Sequence, residues 1–181
     1  MIKKVGITGG IGSGKSIVSK IIEAMGYPVF NSDEEAKKIV NHHPSVKTDL
    51  ISLFGEDIYT GDQIDKSRLS TFIFNNPSLR EKVNEIIHPR VREAFDTFAK
   101  NSNIVFNEAA ILFETGAYKR FDDVVLIVAP IELRIERLIK RDDSSRKEIE
   151  LKMAAQWSDE KKAEYTSLII HNDEKTPLLQ Q

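Results

Sequence analysis

Residues 9–16, Gly9-Gly10-Ile11-Gly12-Ser13-Gly14-Lys15-Ser16, constrain this chain more than any other stretch. They match G-x-x-x-x-G-K-[ST], a spacing in which backbone N–H groups converge on a polyphosphate. Glycines there let the backbone come close and take conformations that a Cβ would forbid. The flanks agree. Val5-Gly6-Ile7-Thr8 is a short apolar run that reads as a strand lying between the edge and the centre of a sheet. Residues 17–25 carry apolar side chains at helical spacing and stop at Gly26. Strand, glycine loop and helix is the order that phosphate binding needs, because the positive end of the helix then faces the anion. Lys15 adds a charge that can reach the β- and γ-phosphates, and the Ser16 hydroxyl can ligate Mg²⁺. A glycine-rich turn with no ligand would not need lysine and serine at these positions. A nucleoside triphosphate with Mg²⁺ is the expected ligand.

The chain has 181 residues, enough for one domain and a small inserted region. It is 40% hydrophobic and 30% charged, the composition of a soluble globular protein. A net charge of −2 gives no reason to expect nucleic acid or an acidic membrane as partner. No cysteine is present, which excludes disulfides and cysteine–metal sites and fits a reducing compartment. The first strand begins at once, leaving no room for a signal peptide. No apolar run approaches the roughly 18 residues of a membrane span. The expectation is a cytoplasmic chain with no membrane partner; nothing in the pattern specifies an oligomeric state.

Five strands are expected, at residues 5–8, 27–31, 103–107, 123–129 and 167–171. After Asp123, residues 124–129 are apolar throughout, as a strand buried on both faces of a parallel sheet should be. Between the second and third strands the pattern is helical and polar, broken at His42-His43-Pro44, at residues 55–62 and at Asn75-Asn76-Pro77. A parallel crossover needs only about a dozen residues, so this stretch reads as a helical subdomain with its own task, binding a second substrate. Pro130 starts a helix over residues 131–140 with Leu133, Ile135, Leu138 and Ile139 inward. Residues 141–146 form a charged break, followed by helices over 145–156 and 159–165. Strands alternating with helices give a parallel α/β sandwich.

The loop alone does not separate kinases from GTPases and ATPases. No N-K-x-D follows a strand and no D-x-x-G follows the third strand, so guanine selection and a GTPase switch have no carrier. Asp33 stands at the end of the second strand, and ligands collect at the carboxyl ends of strands in such sheets. It can accept the proton of an attacking hydroxyl, or, like Ser32, simply cap the next helix. Arg134, Arg137 and Arg141 follow i, i+3, i+7 along one helix face, with Arg146 beyond. They are either forks for a transferring phosphoryl group, on a helical lid, or a solvated face. The solvated reading suits Arg134 better than Arg141, which sits at the break. Glu108 can hold Mg²⁺ through water or serve the fold. His42-His43 reads as an exposed loop pair, and Trp157 with Phe72, Phe74, Phe95 and Phe98 reads as packing.

Residues 5–16 resemble the opening of the dephospho-CoA kinase family. The likeness continues in family order through Ser32-Asp33, Ile86-Ile87-His88-Pro89-Arg90-Val91, Ile111-Leu112-Phe113-Glu114, Lys140-Arg141-Asp142, Ala154-Ala155-Gln156 and Ile170-His171-Asn172-Asp173. The resemblance implies a P-loop nucleotide kinase fold, a three-layer α/β/α build with a five-stranded parallel sheet. It implies a core (residues 1–32, 101–140 and 158–181), a helical acceptor-binding insertion (33–100) and a helical lid (141–157). It implies transfer of phosphoryl from ATP, with Mg²⁺, to the ribose 3′-hydroxyl of 3′-dephospho-CoA. Asp33 would be the base, with Lys15 and Arg141 also catalytic. Gly9, Gly10, Ile11, Gly12, Ser13, Gly14, Lys15, Ser16, Ile17 and Arg141 would hold ATP, with Asn172 beside the adenine and Ser16 on the metal. Thr8, Asp33, His88 and Glu114 would surround the acceptor. Four positions depart from the family pattern: Ile17 for a usual threonine, Lys66 and Lys152 for arginines, and Ala110 for proline. Lysine cannot reproduce a bidentate arginine contact. The rivals are a P-loop kinase of another nucleoside or nucleotide, and a non-catalytic nucleotide-binding regulator.

Overall fold

The computed structural model describes residues 2–74 and 76–181. The chain enters through strand β1 (Lys3–Thr8) and, after the glycine loop, runs into helix α1 (Lys15–Ala24). Gly26, with φ +89°, closes that helix by donating its N–H to the Glu23 carbonyl. Strand β2 (Val29–Asn31) follows and passes straight into α2 (Ser32–His42). Helix α3 (Pro44–Phe54) starts on Pro44, which has no N–H to lose there.

The expected break at 55–62 holds more structure than its sequence suggests. A 3₁₀ turn leads into a hairpin of β3 (Tyr59–Thr60) and β4 (Gln63–Ile64), turned by Gly61 at φ +61°. Two-residue strands carry no periodicity to read. Helices α4 (Lys66–Phe74) and α5 (Pro77–Ala99) complete this part. Of the break at Asn75-Asn76-Pro77, Asn75 lies outside the described residues, and the Asn76 carboxamide accepts the Leu79 N–H at 3.0 Å, capping α5. Phe95 is buried and Phe72 stacks on Phe54 at 5.1 Å, as packing residues should, but Phe74 is 64% exposed.

Strands β5 (Ile104–Glu108) and β6 (Asp123–Val128) lead to α6 (Ile131–Asp142), α7 (Arg146–Ala154), α8 (Asp159–Ala163) and β7 (Leu168–His171). Helix α6 extends two residues into the expected break, to Asp142, and is ended by Asp143, left-handed at φ +50°. Ser145 and Glu148 then form a reciprocal capping box that starts α7. The expected inward face of α6 needs correction too. Ile135 and Leu138 are buried, but Ile139 is 43% exposed and Arg134 is buried in its place.

The elements fall into two units: the chain up to Asn31 with Ala99–Gln181, and Ser32–Phe98. The first holds the five-stranded parallel sheet, ordered β2-β5-β1-β6-β7, so β1 is central. Alternation along each strand gives two apolar faces. One joins Ile7 and Ile127 to Val18 and Ile22 of α1; the other packs Val124 with Leu112, Phe113 and Trp157. The second unit is helical apart from its hairpin. Among the described residues, no helix is long and apolar enough to cross a membrane.

Candidate active site

The glycine loop lies at the carboxyl end of the central strand. Its shape is imposed by what packs on it. A Cβ at Gly10 would overlap the guanidinium of Arg134, and one at Gly14 would overlap the side-chain amide of Asn172. Gly14 also stands at φ +92°, where a side chain is strained. Lys15, buried, folds its ammonium back onto the carbonyls of Gly9 at 3.0 Å and Gly10 at 3.3 Å. Ser16 and Ile17 are exposed on the first turn of α1, and the Ile17 N–H reaches the Gly14 carbonyl at 3.0 Å. The N–H groups at the start of a helix point out of its end and form the positive end of the loop.

Two braces hold the loop from outside. Arg134 donates from Nε to the Ile11 carbonyl at 2.9 Å and from Nη1 to Asp159 Oδ2 at 3.2 Å. Gln156 accepts the Ile11 N–H on Oε1 at 2.8 Å. On the other side the buried Asn172 donates from Nδ2 to the Ser13 carbonyl at 2.8 Å, while Arg137 donates to the Asn172 carbonyl at 3.2 Å. Burial raises the pKa of the Asp159 carboxyl, against the pull of Arg134 and Lys162. The solvated-face reading of Arg134 is therefore wrong: it is the most buried arginine of α6, because the Ile11 carbonyl and Asp159 satisfy it. Arg141 is the exposed one. Its side chain is 62% exposed and pairs with the adjacent Asp142, which raises its pKa.

Beside the loop, Thr8 is buried and donates its hydroxyl to the Ala110 carbonyl at 3.3 Å. Lys162, wholly buried, donates to the same carbonyl at 3.3 Å and pairs with Glu114 Oε1 at 3.0 Å. Glu114 also accepts the Trp157 N–H at 3.1 Å. The buried Glu108 carboxylate accepts the Ser19 hydroxyl at 2.7 Å, one turn beyond Lys15. Thus the structure gathers Thr8, the loop, Asn172 and Glu114 in one unit and leaves Arg141 away from the loop's braces. Asp159 and Lys162 escaped the sequence reading, which weighed Arg134 only as a phosphoryl fork or a solvated residue and met Gln156 only within a family element. The one available signal was Arg134 itself, set beside Ile135 and one turn before Leu138 in the apolar stripe.

In the helical unit, Asp33 is exposed in the first turn of α2, followed by Glu34 and Glu35. His88 is half-buried in α5, and burial, with Arg92 nearby, lowers its pKa. Pro89 lies inside that helix and lacks the N–H that would meet the Glu85 carbonyl. A groove of about 490 Å³ lies here, lined by Asp49, Ser52 and Leu53 of α3 and by Lys82, Glu85, Ile86, Pro89 and Arg90 of α5. His42 and His43 sit at the α2–α3 junction, and among the described residues no three His, Cys, Asp or Glu side chains cluster as a metal site.

Comparison with known proteins fits this arrangement. The family model of dephospho-CoA kinase matches residues 3–177. A dephospho-CoA kinase of Bacteroides fragilis is 44% identical over 184 aligned residues, covering 100% of this chain and 90% of its own. A solved protein, TT1252 from Thermus thermophilus, superposes with a TM-score of 0.87 at 30% identity, covering 99% of this chain and 91% of its own. A solved dephospho-CoA kinase from Campylobacter jejuni gives 0.66 at 27% identity, covering 96% and 89%.

Proposed function

The chain belongs to the dephospho-CoA kinase family, and from that premise we propose how its residues divide the reaction. It is a kinase that uses ATP to phosphorylate the ribose 3′-hydroxyl of 3′-dephospho-CoA, giving CoA and ADP, the final step of CoA biosynthesis. The observation that carries the residue assignments is the glycine loop, with Lys15 and Ser16 opening α1.

ATP lies with its phosphates along residues 9–17. The Lys15 ammonium, held by the Gly9 and Gly10 carbonyls, turns to the β- and γ-oxygens and stabilises the charge that spreads there. Ser16, exposed on the same turn, would ligate Mg²⁺, which supplies neutralisation of the β- and γ-phosphates. A single protein hydroxyl would suit Mg²⁺, which keeps several waters and takes oxygens from the substrate. Glu108, close by, would reach it through water. Asp33 takes the proton of the 3′-hydroxyl as that oxygen attacks in line. Thr8, His88 and Glu114 line the acceptor, and residues 33–100 form the acceptor-binding region. Residues 141–157 act as a lid, with Arg141 as its movable cation. Asn172 fixes the loop beside the adenine.

The test is ADP release from Mg²⁺-ATP with and without 3′-dephospho-CoA, with adenosine and AMP as control acceptors. Release only with dephospho-CoA, and a product that co-elutes with CoA, is the expected result. Turnover with a control acceptor, or none at all despite ATP binding, would refute it.

A further inference from the structure

Ile11 is held on three sides. Its carbonyl takes Arg134 Nε, its N–H is spent on Gln156 Oε1, and its side chain packs against the buried cluster of Ile135, Leu138 and Ile149. Arg134 is held in turn by Asp159, the first residue of α8, and Gln156 lies in the turn between α7 and α8. The Gln156 N–H donates to the Met153 carbonyl at 3.0 Å, so that turn is ordered from the α7 side. One residue of the loop is thus fastened to α6 and the α7–α8 turn, and through Arg134 to α8.

We propose that Gln156 and Arg134 are positioning residues for the nucleotide, acting through Ile11. The proposal rests on the nucleotide-loop reading above. A loop whose N–H groups must converge on an anion binds it best when already in the bound shape, since ordering it on binding would subtract from affinity. Ile11 precedes the residues that turn into α1, and with both its polar groups occupied its peptide planes cannot rotate. Arg134 adds a second constraint, because its guanidinium lies where a Cβ at Gly10 would be. Asp159 orients Arg134 and keeps its charge paired.

The experiment measures MgADP affinity by calorimetry, and KM for ATP against kcat, for the unaltered chain, Gln156→Ala and Gln156→Glu. Alanine leaves the Ile11 N–H without its acceptor; glutamate keeps an acceptor oxygen at the same reach. The expected result is roughly tenfold weaker MgADP binding and a matching rise in KM for ATP in Gln156→Ala. The rise in KM should exceed any fall in kcat at saturating ATP, with recovery of both in Gln156→Glu. Circular dichroism melting checks that both variants are folded. Equal MgADP affinity in Gln156→Ala and the unaltered chain overturns the proposal alone. Tighter binding overturns it too, since the side chain would then compete with phosphate for the Ile11 N–H. Failure of the unaltered chain to bind MgADP overturns the loop reading and this proposal with it.

Discussion

Lys162→Met removes a charge from a site that has no water to replace it. The side chain of Lys162 is 0% exposed, and its ammonium meets Glu114 Oε1 at 3.0 Å and the Ala110 carbonyl at 3.3 Å. Methionine fills nearly the same volume, so the loss is electrostatic and no cavity opens. Glu114, 14% exposed, would keep only the Trp157 N–H, and its Oε2 already has no hydrogen-bond partner. Breaking a buried ion pair by removing one member costs about 3–5 kcal/mol. The surviving Trp157 contact and the slight exposure of Glu114 put this case near the lower end, about 3 kcal/mol. For a chain of this size that lowers Tm by roughly 6–12 °C. Calorimetric melting at pH 7 reads it. Adding Glu114→Gln removes the orphaned charge while keeping an acceptor for Trp157, and should recover about 1–2 kcal/mol. A single variant melting within 2 °C of the unaltered chain would refute the reasoning. So would a double variant no more stable than the single one.

Asp33→Asn should cut kcat about 10²- to 10⁴-fold with Tm unchanged, as expected for loss of a general base; full activity would remove Asp33 from that role. Gly14→Ala forces a Cβ against the Asn172 amide at φ +92°. The backbone strain alone is about 1–2 kcal/mol, and calorimetry should find MgADP binding lost; retained binding would contradict the brace described at Ser13. His88, with its pKa held below the ordinary imidazole value of about 6.5, binds fewer protons folded than unfolded as the pH falls through that value towards its folded pKa. Its contribution is therefore present above 6.5 and lost on acidification. His88→Gln should flatten the fall in urea-unfolding stability in that window, and an unaltered pH slope would exclude His88 as its source.

Much of the sheet could be read directly. Residues 124–129 are apolar without interruption because β6 is covered on both faces, and the glycine loop announces its strand and helix by spacing alone. What escaped was polar structure inside apolar patterns. Arg134 reads as solvated because periodicity assigns a charge to the outside; only the fold reveals a carbonyl at Ile11 and a carboxylate at Asp159 waiting for it. Lys162, in a five-residue helix crowded with charges, gives no hint that it is the buried one. Arg141 is the opposite case, a charge that stays outside: it stands in the expected break, and the adjacent Asp142 takes its guanidinium. Local spacing fixes which residues share a face, but the partners of a buried charge come from distant parts of the chain.

The register of β2 bears on how the molecule assembles. Val29 pairs with Phe106, and the whole helical unit lies between them in sequence. Closing a flexible loop of that length costs on the order of 4 kcal/mol of chain entropy, against a strand of only three residues. The helices in between have mostly local contacts and can form early, shortening the effective loop. Strand β2 should therefore join the sheet last on refolding and leave it first under stress. Its amides should exchange with solvent deuterium faster than those of β1 and β6, making the edge that leads to Asp33 the most readily opened border of the sheet.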